Sequence, residues 1–361
     1  MAKVTFNNKN SVFYDSLKTK VDAYFKTKNI ARTGNIHLFI KTLVLVPLAV
    51  GIYYTLLFIQ PSTIPSLLLC GVLGLTLASI GFNVMHDACH GSYSSRKWVN
   101  EMMGLSLNFL GGNAFIWKIK HNVIHHTYTN VDGVDDDIAK MPLIRQCSSQ
   151  KWMPAHRYQH WYSLGIYALS SFLWIMLMDY MKYFSKKVYT TPIHKIPVRE
   201  HIIFWVSKIL YIAFYIALPI YMVGWLPWLT GFFVMHGTMG LALAIVFQLA
   251  HVVEDVSFVD AHAPAVKIDE EWAVHQIRTT ADFATGNKLI SWLLGGLNFQ
   301  IEHHLFPKIS HVHYPAIRAI VKDVCDEHGL RHVDYPTMSS AINSHFRFMK
   351  SLGKNETQVL A

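Results

Sequence analysis

Two stretches of this 361-residue chain contain no Asp, Glu, Lys or Arg: Thr42 to His86 and Ile209 to His251. Each is about twice the ~20 residues that cross a bilayer as one helix. Each has a turn signal near its middle, Gln60-Pro61-Ser62-Thr63 in the first and Gly224-Trp225-Leu226-Pro227-Trp228 in the second. A soluble core does not house uncharged runs of this length, so both are read as helical hairpins that enter and leave a membrane. The expected spans cover residues 38–59, 64–85, 203–223 and 228–250.

Composition agrees with that reading. Only 15% of residues are charged and 52% are hydrophobic, whereas a soluble domain carries about a quarter charged residues. Disorder, coiled coil and a small disulfide-stapled fold are excluded. Cys70, Cys89, Cys147 and Cys325 form no Cys-x-x-Cys pair and no framework spacing, which suits a reducing compartment. The first apolar run lacks a small-residue cleavage site, so no signal peptide is expected.

The hairpin turns carry no charge, while Lys18, Lys20, Lys26, Lys28, Arg32, Arg96, Lys97, Lys118, Lys120, Lys186, Lys187 and Arg199 flank the apolar runs. The positive-inside rule then places both termini and the middle segment in the cytosol. The net charge of +9 reads as a topology signal and an attraction to anionic lipid. No basic, aromatic-interleaved patch points to nucleic acid. The chain divides into a cytosolic segment 1–35, a membrane unit 36–310 and a cytosolic segment 311–361.

Histidine is the compositional anomaly, with 21 against 23 acids. His86 and His90 end the first uncharged run, His121, His125 and His126 follow, His251 ends the second, and His303 and His304 come later. On an α-helix positions i and i+4 share a face, so His86/His90 and His121/His125 are each expected to aim two imidazoles at one point. His126, His303 and His304 add further directions. Eight imidazoles exceed the needs of one metal and suit two, with coordination positions left open. Imidazole ligation suits Fe, Zn, Cu or Ni, and the lack of Cys in ligand spacing disfavours structural zinc. The zinc-protease pattern fails because Asp87, not Glu, follows His86 and the spacing is His-x-x-x-His.

If all clusters meet at one site, an even number of spans separates His126 from His251. The two arms around Gly224–Trp228 already supply two. The uncharged run Tyr158–Met178, with Gln159, His160, Ser163, Ser170 and Ser171, is therefore expected to lie along the cytosolic leaflet. Met102–Trp117, broken by Gly104, Asn108, Gly111, Gly112 and Asn113, is too short and polar to span. The expected fold is an all-α integral membrane protein of four transmembrane helices in two hairpins, with a cytosolic helical cap.

The motifs His86-Asp-x-x-His90, His121-x-x-x-His125-His126 and Gln300-x-x-His303-His304 resemble the three histidine boxes of the membrane fatty acid desaturases. The run Gln300-Ile-Glu-His-His-Leu-Phe-Pro307 is similar to the third box of the front-end (Δ4/Δ5/Δ6) and sphingolipid Δ8 branch. The resemblance implies a cofactor of two iron ions held by His86, His90, His121, His125, His126, His251, His303 and His304. It makes Gln300 a weak or water-mediated ligand. It implies O2-dependent insertion of a double bond into a long acyl chain at a cytosolic site, with the cofactor carrying the chemistry. Without a His-Pro-Gly-Gly haem motif, the chain resembles a free-standing desaturase of a bacterial inner membrane. A separate ferredoxin, or cytochrome b5 with its reductase, would supply electrons.

Imidazole ligands need partners to fix their tautomers. Asp87, Glu254, Asp255 and Glu302 are the nearest carboxylates in sequence. His275 is a further candidate, and the run Asp135-Asp136-Asp137 either orients ligands, meets a head group or is a solvated loop. Trp117, Trp272 and Trp292 are candidate walls of an acyl slot, or packing residues. Lys118, Lys120, Arg145, Lys151, Arg157, Lys308 and Arg318 offer a basic face for an acidic electron carrier, or for anionic lipid. A hydroxylase or ketolase with the same boxes, and a histidine-rich metal transporter, are the alternatives. The transporter should place its ionisable ligands mid-membrane, not just past the hairpin ends.

Overall fold

A computed structural model describes residues 3–354. Its principal helices, in chain order, are α1 (Val12–Lys28), α2 (Ile36–Ile59), α3 (Thr63–His90), α4 (residues 114–125), α5 (Pro154–Ser185), α6 (Val198–Val223) and α7 (Trp225–His251). These are followed by α8 (Trp272–Thr279), α9 (Gln300–Leu305), α10 (Tyr314–Glu327) and α11 (Met338–Leu352). The strands are short pairs that tie loops together.

Five helices among the described residues are long and apolar enough to cross a membrane: α2, α3, α5, α6 and α7. Four of them contain the spans expected from the uncharged runs, and the breaks fall at the two turn signals. Asn35 caps α2 by accepting the His37 N–H at 3.0 Å. Gly224, at φ 86°, separates α6 from α7. α3 and α7 have 28 and 27 residues, roughly eight more than a span needs. The surplus turns place His86, His90 and His251 at the ends of these helices, away from the two interhelical breaks. The two helices touch where Thr238 Oγ1 donates to the Gly71 carbonyl at 3.1 Å, the close approach that small residues permit between apolar helices.

The fifth helix, α5, is one more than the four expected. It has the lowest mean hydropathy of the five, 1.4 against 2.2 for α2. Near its start, Gln159 exchanges hydrogen bonds with the backbone of Arg145 at 2.9 and 3.0 Å. Near its end, Lys182 donates to Asp136 at 2.6 Å. Both ends thus meet the loop after the second histidine box. Between them α5 crosses α7 at Gly240, where a Cβ would stand 2.6 Å from the Ala168 carbonyl oxygen. Ser170 and Ser171 donate to the Gly240 and His236 carbonyls at 3.1 and 2.9 Å. The serines that break its apolar pattern face the neighbouring helix. Lys208 of α6 is buried against Asp179 of α5 at 3.0 Å, so α6 is fixed to the same helix.

The remaining elements form a cap around the histidines. Phe13, Leu17, Val21 and Phe25 make a buried stripe at four-residue spacing along α1. They pack with Ile317, Val321 and Val324 of α10 and with Ala273 and Ile277 of α8. The N-terminal and C-terminal segments therefore share one core. Lys3–Phe6 pairs in parallel with Ala265–Ile268, and Val131–Asp132 with Val259–Asp260. The second pairing joins the loop after the second box to the loop after His251. Gly295 (φ 58°) turns the chain toward α9 so close to α3 that a Cβ would lie 2.4 Å from the Phe82 oxygen. That contact brings the third box against the first.

Candidate metal centre

The eight histidines converge, and each is 9% exposed or less. Their ring nitrogens form two main groups. His86, His90, His121 and His303 make one, and His125, His251 and His304 make the other, with every ligand atom of a group within 4.8 Å of the rest. His126 closes a third set with His303 and His304 and so lies between the two. A further grouping joins His121, His125 and Asp137.

Local backbone geometry explains the division. His86/His90 occupy an α-turn, as expected. The second box does not: Ile119–His125 is a π-helix, and the His126 N–H donates to the His121 carbonyl at 3.0 Å. An i→i+5 turn widens the helix and brings positions five apart together. His121 and His126 have their Nε2 atoms 3.2 Å apart, and His121 Nε2 is also 3.2 Å from that of His86. The expectation that His121 and His125 lie on an α-helical turn is corrected, although their rings still meet in the grouping with Asp137. The π-turn sends His121 to the four-histidine group and His125 to the other.

Four of these histidines have one ring nitrogen anchored and the other bare. His125 donates from Nδ1 to Asp135 at 3.0 Å, His251 to the Thr279 carbonyl at 3.3 Å and His304 to the Gln276 side-chain oxygen at 2.9 Å. His303 Nδ1 meets the Tyr314 hydroxyl at 3.1 Å. The Nε2 atoms of all four are buried without a partner, as is that of His90. A buried nitrogen without a hydrogen bond costs stability, and a cation at the centre removes that cost. Burial, and then the neighbouring imidazoles, push His121, His126, His303 and His304 well below the ordinary histidine range. They are neutral at physiological pH, the form that binds metal. The donor set suits metal ions that imidazole binds, iron among them.

Aromatic rings wall the cluster. Trp117 stacks on His121 with centroids 4.4 Å apart, and Phe247 stands 5.0 Å from His125 and 4.8 Å from His251. Trp272 donates its indole N–H to the His126 carbonyl at 3.0 Å. Trp292 instead lies over the Lys41 ammonium.

The carboxylates sort differently from their order in sequence. Asp135, completely buried, holds His125. Asp136 and Asp137 enclose Lys120, and Lys182 reaches Asp136. Burial alone would raise the Asp137 carboxyl, but Lys120 and His125 hold it well below the usual range. Asp87 accepts from Ser310 Oγ at 2.6 Å and faces His311 at 3.0 Å. His275 bonds the Thr129 carbonyl at 2.8 Å, and Thr129 Oγ1 lies 3.2 Å from His304 Nδ1. Its link to the ligands is thus indirect. Gln300 is buried at the start of α9 and interacts with His251.

Other expectations are corrected. Glu254 and Asp255 point to the surface, paired with Arg347 and Arg331 at 2.9 Å each. Glu302 is buried against Asp282 and His332, apart from the histidine rings. In the supposed basic face, Lys120 is enclosed by Asp136 and Asp137, Arg145 binds the carbonyls of Ser148, Gln150 and Leu352, and Arg318 pairs with Asp334. Among the residues expected there, Lys151, Arg157 and Lys308 are exposed. Thr279, Gln276, Tyr314 and Phe247 were not singled out from the sequence. Nothing in their spacing marks them.

Five long apolar helices and a histidine-lined centre define a membrane-embedded protein of the histidine-box type. Comparison makes the class specific: the fatty acid desaturase family model matches residues 61–336, and the chain belongs to that family. It is 37% identical to the sn-1 linoleoyl-lipid 6-desaturase of Synechocystis sp., over 98% of both chains. It is 36% identical to the protein of the same description from Arthrospira platensis, over 99% of this chain and 97% of that one. An acyl-lipid (8-3)-desaturase of Physcomitrium patens is also 36% identical, over 96% of this chain and 73% of its own length. The protein is a fatty acid desaturase, an oxidoreductase.

Proposed function

We propose that the chain inserts a double bond near the carboxyl end of a long acyl chain esterified in a membrane lipid, at a centre of two irons. The observation that carries this reading is the convergence of eight buried imidazoles, seven of them in two adjoining groups with His126 between, and five with a bare Nε2. The names of the relatives supply the acyl-lipid substrate. Iron held there supplies O2-dependent removal of hydrogen from an unactivated carbon, chemistry beyond any side chain.

The surrounding residues have assignable work. Asp135, the Thr279 carbonyl and Gln276 hold protons on Nδ1 of His125, His251 and His304, which keeps Nε2 directed inward. Trp117 and Phe247 exclude water from the face where the acyl chain must lie. The external electrons come from a separate one-electron carrier, a ferredoxin or a cytochrome b5, docking on the cap.

Four spans fit this reading better than five. α2, α3, α6 and α7 cross, while α5 lies along the cytosolic side of the membrane and returns to the loop it left. Both flanks of α5 then stay with the cap, and the positive charges fall on the cytosolic face. An inner-membrane enzyme with its centre toward the cytosol follows. Lipid analysis of a host expressing the chain tests the activity: complex lipids should gain acyl chains two mass units lighter. A gain of sixteen mass units instead would mark a hydroxylase.

A further inference from the structure

A second cluster of ligating side chains adjoins the third box and takes no part in the histidine centre. The parallel pairing of Asp282–Phe283 with Asp334–Tyr335 brings residues 282 and 332 together beneath α9. His332 Nε2 stands 3.5 Å from Asp282 Oδ2 and 3.4 Å from Glu302 Oε1. Asp282 and Glu302 are fully buried, and the His332 side chain is 3% exposed. The second oxygen of Asp282 caps α9 by accepting the Ile301 N–H at 3.0 Å. Among the described residues, Asp282 Oδ2 and Glu302 Oε2 find no donor, and the two carboxyl groups face each other within hydrogen-bonding reach.

We propose that Asp282, Glu302 and His332 bind a further divalent transition-metal ion, with zinc(II) the best-suited probe. Geometry supports it: metal–ligand bonds of about 2.1 Å in a tetrahedron put neighbouring ligand atoms about 3.4 Å apart, close to the spacings around His332. Charge is consistent with it. Arg318 pairs with Asp334 and lies 3.5 Å from Asp282, which leaves the Asp282 and Glu302 carboxyls side by side out of water. Two buried carboxylates are costly unless matched: a shared proton would neutralise one of them, whereas a divalent ion would match both. Its role would be to fix α9, since Glu302 directly precedes His303 and Asp282 holds the N-terminal end of the same helix.

The test is metal analysis of the purified, chelator-washed full-length protein and of its Asp282→Asn and His332→Ala variants. The unsubstituted protein should carry one ion per chain that both variants lose. His303→Ala, which disrupts the histidine centre, should retain that ion, so failure of the di-iron reading would not imitate failure of this one. X-ray absorption at the edge of the extra metal, on unsubstituted protein, should show a single imidazole among oxygen ligands. Equal metal content in wild type and His332→Ala overturns the proposal. So does an all-imidazole environment, or a wild-type protein with no ion outside the histidine centre, which would mean that a shared proton neutralises the carboxylates.

Discussion

The Asp135 carboxylate accepts the Nδ1 proton of His125 at 3.0 Å, with both side chains buried. The same Asp135 oxygen accepts the Asn130 N–H at 3.1 Å, and its other oxygen accepts the Asp137 N–H at 3.0 Å. The carboxylate is thus held by the backbone of its own loop and in turn holds the ring. Asp135→Asn keeps the shape but removes the charge. Metal affinity should fall roughly 10- to 100-fold, as for other partners of metal-bound imidazole. Iron content during dialysis against a graded chelator series checks this, and unchanged retention would mean that His125 needs no orienting anion.

His303→Ala should lose iron and double-bond formation together, because His303 belongs both to the four-histidine group and to the set that adjoins the second. His194, exposed between α5 and α6, is the control, and His194→Ala should keep both. Full iron in His303→Ala would rule out the assignment.

Topology is open to chemical labelling. A cysteine at Ser62, between α2 and α3, should react with an impermeant reagent from outside. Cysteines at Ser149 and Lys186, on either flank of α5, should react only from the cytosol. Labelling of Lys186→Cys from outside would make α5 a span and put its two flanks on opposite faces.

Burial pushes His275 and His345 down to about 4. Unfolded histidine titrates near 6.5, so below that pH the unfolded chain takes up protons that the native state refuses. Stability should be level above about pH 6.5 and fall as pH drops from there toward about 4. Thermal unfolding of detergent-solubilised protein across this window reads the slope. His345, bonded to the Val252 carbonyl and to Tyr167, is the cleaner of the two to replace. His345→Gln should unfold more easily at pH 7 yet show a shallower decline, and an unchanged slope would exclude it as a contributor.

Gly240→Ala should destabilise the protein, since the added carbon would meet the Ala168 and Tyr167 oxygens at 2.6 and 2.7 Å. Carbonyl oxygens on a packed helix cannot swing aside as a side chain would. The expected result is a lower melting temperature and less protein recovered folded. Neutral behaviour would show that the α5–α7 crossing is loose.

The sequence by itself determined the long apolar helices, the breaks between them and the histidine clusters. A run of more than forty residues without charge has few places to go but a membrane, and turn residues at its middle decide where it reverses. The identity and order of the eight histidines could be read for the same reason: imidazoles just past apolar helix ends are chemically conspicuous. What a linear reading could not supply was register and direction. Whether Ile119–His125 winds as α or π decides which histidines share a group, and that depends on packing beyond the helix itself. Proximity in sequence favoured Glu254 and Asp255, but they lie past the end of α7, where the chain has turned outward to Arg347 and Arg331. Asp135 reaches His125 because a tight loop folds back on the box. The same holds for α5, whose length permits crossing but whose ends are fastened to one loop by Gln159 and Lys182. Composition fixes the medium in which a segment is stable, whereas side-chain direction and partnership arise only when distant segments pack.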